Sequence, residues 1–556
     1  MRRSFQIIVI CFFCSFLLGV VSCKPKMPPP PIAKKIENPQ AGGENSKADP
    51  YQWLENKNDT AVQNYIRLEN EYFEKYLLLN SELLQKISLE FANRADPLMV
   101  HDSIPLSQDN KIAQTSDGNF KLFVNEKNQV IAHKENQVPV TDKVIYEETG
   151  SGFHLNVSLS KSSRYFFIIS TDGSTSETRV LPSDLGSLKP FLIQPRETGT
   201  LYTVEHFGSD IFWIVTNKNA ENRKLMQAMV SHPEEIYWLP VVGNRDSVFL
   251  EDFTLLDEKY LLLFERQNPG TGIRIYNRSN NDEGSMRFKE PDGVLQLSNY
   301  DPEKEKILLR YTSMLSPVSY YEYNIKTGRL GIRKKTEIKN YVKSDYTSEI
   351  LWTTASDGTK IPISLVYKKG LGKTDGSNPL LLAPDLGEPT TDPVKFNTAY
   401  LSLLDRGFYI AKVYLRKENA SADYLQCADF LFKQKITSTG LLTGIGNGAG
   451  AKVLGDLINQ HPEIFKAVIL NELSGKTAKN GFPYESIKVQ DYPAIMITAM
   501  ADQELQCAVA LKHAAKLRAN NTGDHLILVN ISGNTEPGGR TPSFCTFVLD
   551  QYDMNE

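Results

Sequence analysis

The 556-residue chain is 41% hydrophobic, 10% aromatic and 23% charged. That mixture excludes the disordered, collagen-like and coiled-coil classes and leaves room for several large cores. With 62 basic against 66 acidic residues the net charge is −4, without the basic field that a nucleic-acid partner requires, so none is expected.

Arg2 and Arg3 precede an apolar run from Ile7 to Val21. The run is short for a membrane span and right for the core of an export signal. It ends Val20-Val21-Ser22-Cys23, which resembles a bacterial lipobox. Residues 1–22 are therefore expected to be a lipoprotein signal peptide, and Cys23 the lipidated residue and the only membrane anchor. Lys24 follows the cysteine where some envelopes use Asp for inner-membrane retention, which favours the outer membrane. Removal of Arg2 and Arg3 with the signal would leave a net charge of −6. Cys11 and Cys14 fall inside the removed run. Cys427, Cys507 and Cys545 remain; an exported address permits a disulfide, but three thiols cannot all pair internally.

Residues 23–48 hold six prolines and read as a tether reaching on the order of 70 Å from the membrane. Residues 49–95 are expected to be helical: Asp59 and Thr60 can cap, and Val62, Tyr65, Ile66, Tyr72, Phe73, Tyr76 and Leu77 recur at helical spacing. From 96 to 343 the texture turns to short β-rich runs between turns, such as Tyr165 to Ser170, Ile211 to Thr216 and Tyr260 to Phe264. Such runs without a helical period predict a sandwich, barrel or propeller. From 344 to 556, strands near Ile361, Pro379, Phe408, Leu441, Ala467, Ala494 and Leu526 are interleaved, in the later part, with helical stretches from Ala451, Ala508 and Pro542. This alternation predicts a doubly wound, mostly parallel sheet.

Several runs resemble, in order, the prolyl oligopeptidase family of serine peptidases, and oligopeptidase B most closely. They include Asp49-Pro50-Tyr51-Gln52-Trp53-Leu54-Glu55, Val204-Glu205-His206-Phe207-Gly208, and the stretch from Ala355-Ser356-Asp357-Gly358 to Tyr367. Leu403-Leu404-Asp405-Arg406-Gly407-Phe408, Asn459-Gln460-His461-Pro462-Glu463 and Asp491-Tyr492-Pro493 extend the match. The resemblance implies an α/β-hydrolase domain with an N-terminal β-propeller.

The same comparison removes the expected chemistry. A hydrolase nucleophile sits in Gly-x-Ser-x-Gly on a sharp strand-to-helix turn. Here the turn reads Gly446-Asn447-Gly448-Ala449-Gly450, with Gly448 in the serine's place. Asn534 stands where the resemblance puts the base histidine, and an amide takes no proton at neutral pH. Asp502 matches the triad acid, and Glu504 replaces an arginine near it. Asp385 occupies the position of the oxyanion donor, where a carboxylate would oppose the oxyanion. The Gly-rich loop after Arg416 and the insert before Asp491 are both shortened, and the insert carries acidic residues for a basic substrate side chain in oligopeptidase B. His461, His513 and His525 fall too far from the site to act as the base. The run from Gly446 to Ala451, with Glu472 ending the next strand, also fits a nominal dinucleotide fingerprint, but its flanks match a hydrolase elbow. Neither a cofactor nor a metal is implied.

The expected protein is an envelope lipoprotein of oligopeptidase B-like fold without peptidase activity, binding a peptide or an envelope protein. The alternative is an active serine-type oligopeptidase, which fold similarity alone suggests. Cys23→Ala should release the protein from the membrane fraction. Sedimentation of the variant with membranes after a high-salt wash would contradict the lipid anchor.

Overall fold

The computed structural model describes residues 26–36, 49–94, 111–135, 142–267, 269–280, 282–288, 290, 292–387, 396–473, 483–501, 503–532 and 537–554. Among these residues five four-stranded antiparallel sheets follow one another along the chain, at 112–147, 154–192, 202–242, 249–286 and 294–335. We call them blades 1 to 5.

Period-two alternation explains why they stack. In Tyr165–Thr171 of blade 2, Phe166 and Ile168 join a cluster with Leu122 and Val130 of blade 1. The intervening Phe167 joins Phe212 and Ile214 of blade 3. In blade 3 the next residues along, Trp213 and Val215, pack instead against Phe253 and Leu263 of blade 4. Leu262 and Phe264 of blade 4 then meet Leu309 and Tyr311 of blade 5. The inner strands of blades 2, 3 and 4 are apolar on both faces because each packs against a blade on either side. This is a propeller, one of the three architectures the short-strand texture predicts and the one the resemblance implies.

The last two hundred residues build one eight-stranded sheet: β1 (Tyr346–Thr354), β2 (Lys360–Lys368), β3 (Leu380–Asp385), β4 (Tyr409–Tyr414), β5 (Leu442–Asn447), β6 (Phe465–Asn471), β7 (Ala494–Met500) and β8 (Ile527–Ser532). Their order is β1-β2-β4-β3-β5-β6-β7-β8. The pairs β1–β2 and β2–β4 are antiparallel and the others parallel. Among the described residues seven α-helices accompany this domain: α1 (Thr60–Leu79), α2 (Ser81–Arg94), α3 (Thr398–Leu404), α4 (Ala420–Lys433), α5 (Ala449–Gln460), α6 (Glu504–Asn520) and α7 (Pro537–Gln551).

Both ends of the chain make this domain. Asp59 caps α1 by accepting from the Ala61 amide at 2.7 Å. Tyr72, Phe73 and Tyr76 of α1, with Leu83 and Ile87 of α2, enter the same core as Phe544 and Phe547 of α7. The helices expected over residues 49–95 therefore belong to the hydrolase body, and the propeller is inserted between α2 and β1. α3 and α4 had no clear sequence signature. All seven residues of α3 are buried, so no polar face marks its period.

The tether expected over residues 23–48 requires correction for residues 26–36, which lie on the hydrolase surface. The Pro31 carbonyl accepts from Arg518 Nη1 at 3.2 Å, and the Lys34 carbonyl from Trp53 Nε1 at 2.9 Å. The Ile36 amide donates to the Pro50 carbonyl at 3.0 Å. Ala33 is buried, and Met27 packs against the α1–α7 core. A polyproline stretch has no internal hydrogen bonds, so its carbonyls are free to be captured by neighbouring donors. Cys23 itself lies outside the described residues.

Arg518 of α6 is the clasp for this region. It donates to Glu69 Oε1 at 2.5 Å and Oε2 at 2.9 Å, and Nη2 reaches the Ile527 carbonyl at 2.6 Å. Glu69 is wholly buried. Cys427, Cys507 and Cys545 are all buried, and no disulfide joins them. Glu69→Ala strands a buried guanidinium, so it should lower hydrolase-domain stability by about 3–5 kcal/mol in denaturant melts. A loss below about 1 kcal/mol would mean that the pair is replaceable by solvent.

Candidate functional site

In an open α/β sheet the ligand crevice lies beyond the carboxyl ends of two neighbouring strands whose connections leave in opposite directions. Here those strands are β3 and β5. The chain passes from β3 to β4 on one side and returns to β5 on the other. β3 and β5 pair only over Leu380–Leu382 and Leu442–Gly444, then part towards their carboxyl ends. The opening falls between Asp385 and Gly448.

Gly448 is the pivot of a strand-to-helix turn and the N-cap of α5, with φ +50° and ψ −114°. Only glycine adopts that backbone without strain. Its amide donates to the Asn471 carbonyl at 3.0 Å, and its carbonyl accepts from the Lys452 amide at 3.1 Å. A Cβ at 448 would meet no atom within 4 Å, so the position faces open space. Its neighbours are glycine for a different reason. A Cβ at 446 would stand 2.5 Å from the Gly450 carbonyl carbon, and one at 450 would stand 3.1 Å from Pro384 Cγ. Those two glycines let α5 pass close over the ends of β3 and β5. The glycines thus serve helix–strand packing and a hydrolase-type turn.

Side-chain amides occupy the carboxyl edge beyond the turn. Thr498 Oγ1 donates to Asn471 Oδ1 at 2.7 Å, and Asn471 Nδ2 donates to Asn447 Oδ1 at 3.0 Å. The chain of bonds crosses β7, β6 and β5 and holds the edge rigid. Glu472, the residue after β6, takes φ +54°, with its amide bonded to the Thr498 carbonyl at 3.1 Å.

Asp385 lies at the end of β3, nearly buried. It accepts the Gly387 amide at 2.7 Å, and its Oδ2 is 3.7 Å from Lys412 Nζ. Lys412 is itself buried on β4 and sits over the Tyr414 ring at 5.0 Å. The carboxylate is therefore held by a cation that the search for catalytic residues missed. A lysine in the otherwise apolar run Tyr409-Ile410-Ala411-Lys412-Val413-Tyr414 was its visible signal. Asp502, Asn534 and the side chain of Glu504 lie outside the described residues.

The propeller closes the other side of the crevice with charge. Arg266 of blade 4 lies 2.9 Å from where a Cβ of Gly387 would be, and pairs with Glu251 at 2.8 Å. Arg223 and Arg266 both lie over the Phe249 ring, at 4.7 and 4.8 Å. Burial pushes the Glu251 and Asp252 carboxyls up from their ordinary values. Burial, then the neighbouring Arg266 charge, pushes the Arg223 guanidinium down.

The histidines are placed elsewhere. His513 is buried in α6, where burial pushes its pKa down to about 3 and keeps the ring neutral. His461 stands beside Glu463 at 3.4 Å, next to α5's far end. His525 is exposed just before β8, at the amino edge. Among the described residues no group of three or more His, Cys, Asp or Glu side chains could hold a metal.

The architecture is a propeller joined to an α/β-hydrolase domain, with its crevice at the junction. Residues 113–336 match the family profile described as prolyl oligopeptidase, N-terminal β-propeller domain. Dipeptidyl aminopeptidase BI of Pseudoxanthomonas mexicana is 26% identical over 540 residues, covering 84% of this chain and 73% of that protein. Protease 2 of Moraxella lacunata is 25% identical over 467 residues, covering 75% and 66%. The fold of oligopeptidase B from Leishmania major superposes with a TM-score of 0.82 at 19% identity, covering 95% of this chain and 99% of that one. Residues 113–336 thus match the propeller domain of the prolyl oligopeptidase family, and over most of its length the chain is similar to peptidases of that kind.

The backbone at 448 generates a stability prediction. Strain of this kind costs about 1–3 kcal/mol in a residue with a Cβ. The freer unfolded chain of glycine offsets roughly 0.4–1 kcal/mol of that. Gly448→Ser and Gly448→Ala should both destabilise the hydrolase domain without changing the fold, because space is available but the dihedrals are unfavourable. If denaturant melts show both variants as stable as wild type, the turn carries no strain.

Proposed function

We propose that this chain is a catalytically inactive member of the serine oligopeptidase family that binds a peptide or an envelope protein in the crevice between propeller and sheet. The observation that carries this reading is Gly448. The turn that would hold a nucleophile is intact in backbone, yet its pivot has neither hydroxyl nor thiol. Asn534 in the base position and Asp385 in the oxyanion position point the same way. Loss of one triad member typically costs ~10⁴–10⁶ in rate, and no further loss is needed to abolish useful turnover.

What remains suits binding. The crevice keeps space beside Gly448, a rigid amide edge at Asn447 and Asn471, and a charged wall at Glu251, Arg266 and Arg223. Such a wall can pair with a peptide's backbone and side chains without transforming them. The lipid anchor at Cys23 would hold this activity at the envelope, with the outer membrane as the proposed address.

The purified protein should give no specific labelling with a serine-reactive fluorophosphonate and no turnover of Lys/Arg- or Pro-containing chromogenic peptides. Turnover that is lost in Asp502→Ala would overturn the inactive reading in favour of an active oligopeptidase. The double change Gly448→Ser with Asn534→His should not restore useful activity, since Asp385 still opposes the oxyanion. Activity near that of an ordinary oligopeptidase would show that the remaining departures from the family pattern are harmless.

A further inference from the structure

The stretch from Lys26 to Ile36 is a docked strap, and it begins three residues after Cys23. Three extended residues span no more than about 11 Å, far short of the reach of a free tether. If Cys23 carries lipid, whatever part of the body lies under Lys26 is drawn to the membrane surface.

That part is identifiable. The Pro31 carbonyl is bonded to Arg518, and Arg518 is bonded to the Ile527 carbonyl, the first residue of β8. The strap therefore crosses the amino end of β8. β5, β6, β7 and β8 are parallel, so the crevice with Gly448 lies at the opposite edge. Six residues of β8 put about 20 Å between the two edges. Blade 4 meets the crevice edge through Arg266 beside Gly387, so the propeller lies on the side away from the strap.

The outward face of the strap suits a lipid surface. Ile32 is 89% exposed and Ile36 43% exposed, while Ala33 between them is buried. Lys26, Lys34 and Lys35 are exposed on the same eleven-residue segment, which holds no acidic residue. Exposed isoleucines among lysines match a headgroup region that is apolar beneath and negative above.

We infer that residues 26–36 seat the amino edge of the hydrolase sheet on an anionic bilayer, leaving crevice and propeller facing the aqueous phase. This rests on the reading of Cys23 as the lipidated residue. The partner is the bilayer itself, and the consequence is that only ligands free of that membrane, or carried on long segments, reach the crevice.

The test uses the full lipidated protein in vesicles of equal parts phosphatidylglycerol and phosphatidylcholine, doped with a headgroup nitroxide. A thiol-reactive fluorophore is placed at Ile32→Cys in one preparation and at Ile236→Cys in another. Ile236, in blade 3, is 85% exposed and so matches Ile32 in accessibility. Cys427, Cys507 and Cys545 are buried and should not label. The seating predicts loss of most of the fluorescence at position 32 and none beyond the nitroxide-free baseline at 236. Lys34→Glu with Lys35→Glu should weaken the quenching at 32 while the protein stays bound to vesicles. Retention on vesicles with equal quenching at both positions, or with none at 32, overturns the seating and leaves the anchor intact. Failure to remain on vesicles at all overturns the anchor, and the seating with it.

Discussion

The closeness of α5 to the end of β5 governs the crevice. Backbone from Gly450 and Ala451 lies within 2.6 Å of where a Cβ of Gly446 would be. No side chain fits there, so the strand must turn sharply into the helix. The sharp turn forces Gly448 into its positive φ and points that position away from the sheet into open space. Pro384 lies against Gly450, which ties the same turn to β3 and hence to Asp385. The parting of β3 and β5, the position of the Asp385–Lys412 pair and the exposure of residue 448 all follow from this one packing contact.

A turn of this kind is a costly feature for a fold to keep, since strained backbone persists where surrounding structure over-determines it. At position 448 glycine carries this backbone without the strain that a Cβ would add. The hydrogen-bonded chain Thr498–Asn471–Asn447 ties three neighbouring strands together and holds the edge. Across the crevice, Glu251, Arg266 and Arg223 are partly desolvated charges that a ligand with matching groups can engage. A rigid edge facing a charged wall suits the binding role proposed for the crevice.

Much of this was legible in the sequence. The elbow could be placed because its glycines are separated by fixed intervals after an apolar strand, a local pattern with a local cause. The blades announced themselves through runs such as Phe166-Phe167-Ile168, in which neighbouring residues face different blades. Other parts were not legible because their causes are long-range. Arg518 looks like an ordinary helix-end arginine; only the fold brings Glu69, Pro31 and Ile527 to it. The prolines of the strap signal extension, and extension alone does not distinguish a free tether from one captured by Arg518 and Trp53. Lys412 could be singled out as a charge in an apolar strand, but its pairing with Asp385 depends on β3 and β4 being neighbours. Asp502 and Asn534 lie outside the described residues, so their roles still rest on the family pattern alone.

The central claim is that the crevice beside Gly448 holds a peptide and leaves it whole. The most direct measurement is a crystal structure of the protein after prolonged incubation with an oligopeptide that calorimetry shows to bind, with the recovered peptide analysed by mass spectrometry. The account predicts an uncut peptide lying between the carboxyl ends of β3 and β5, against the wall formed by Arg266 and Glu251. A peptide cleaved at a defined bond, or one bound away from that crevice, would contradict it.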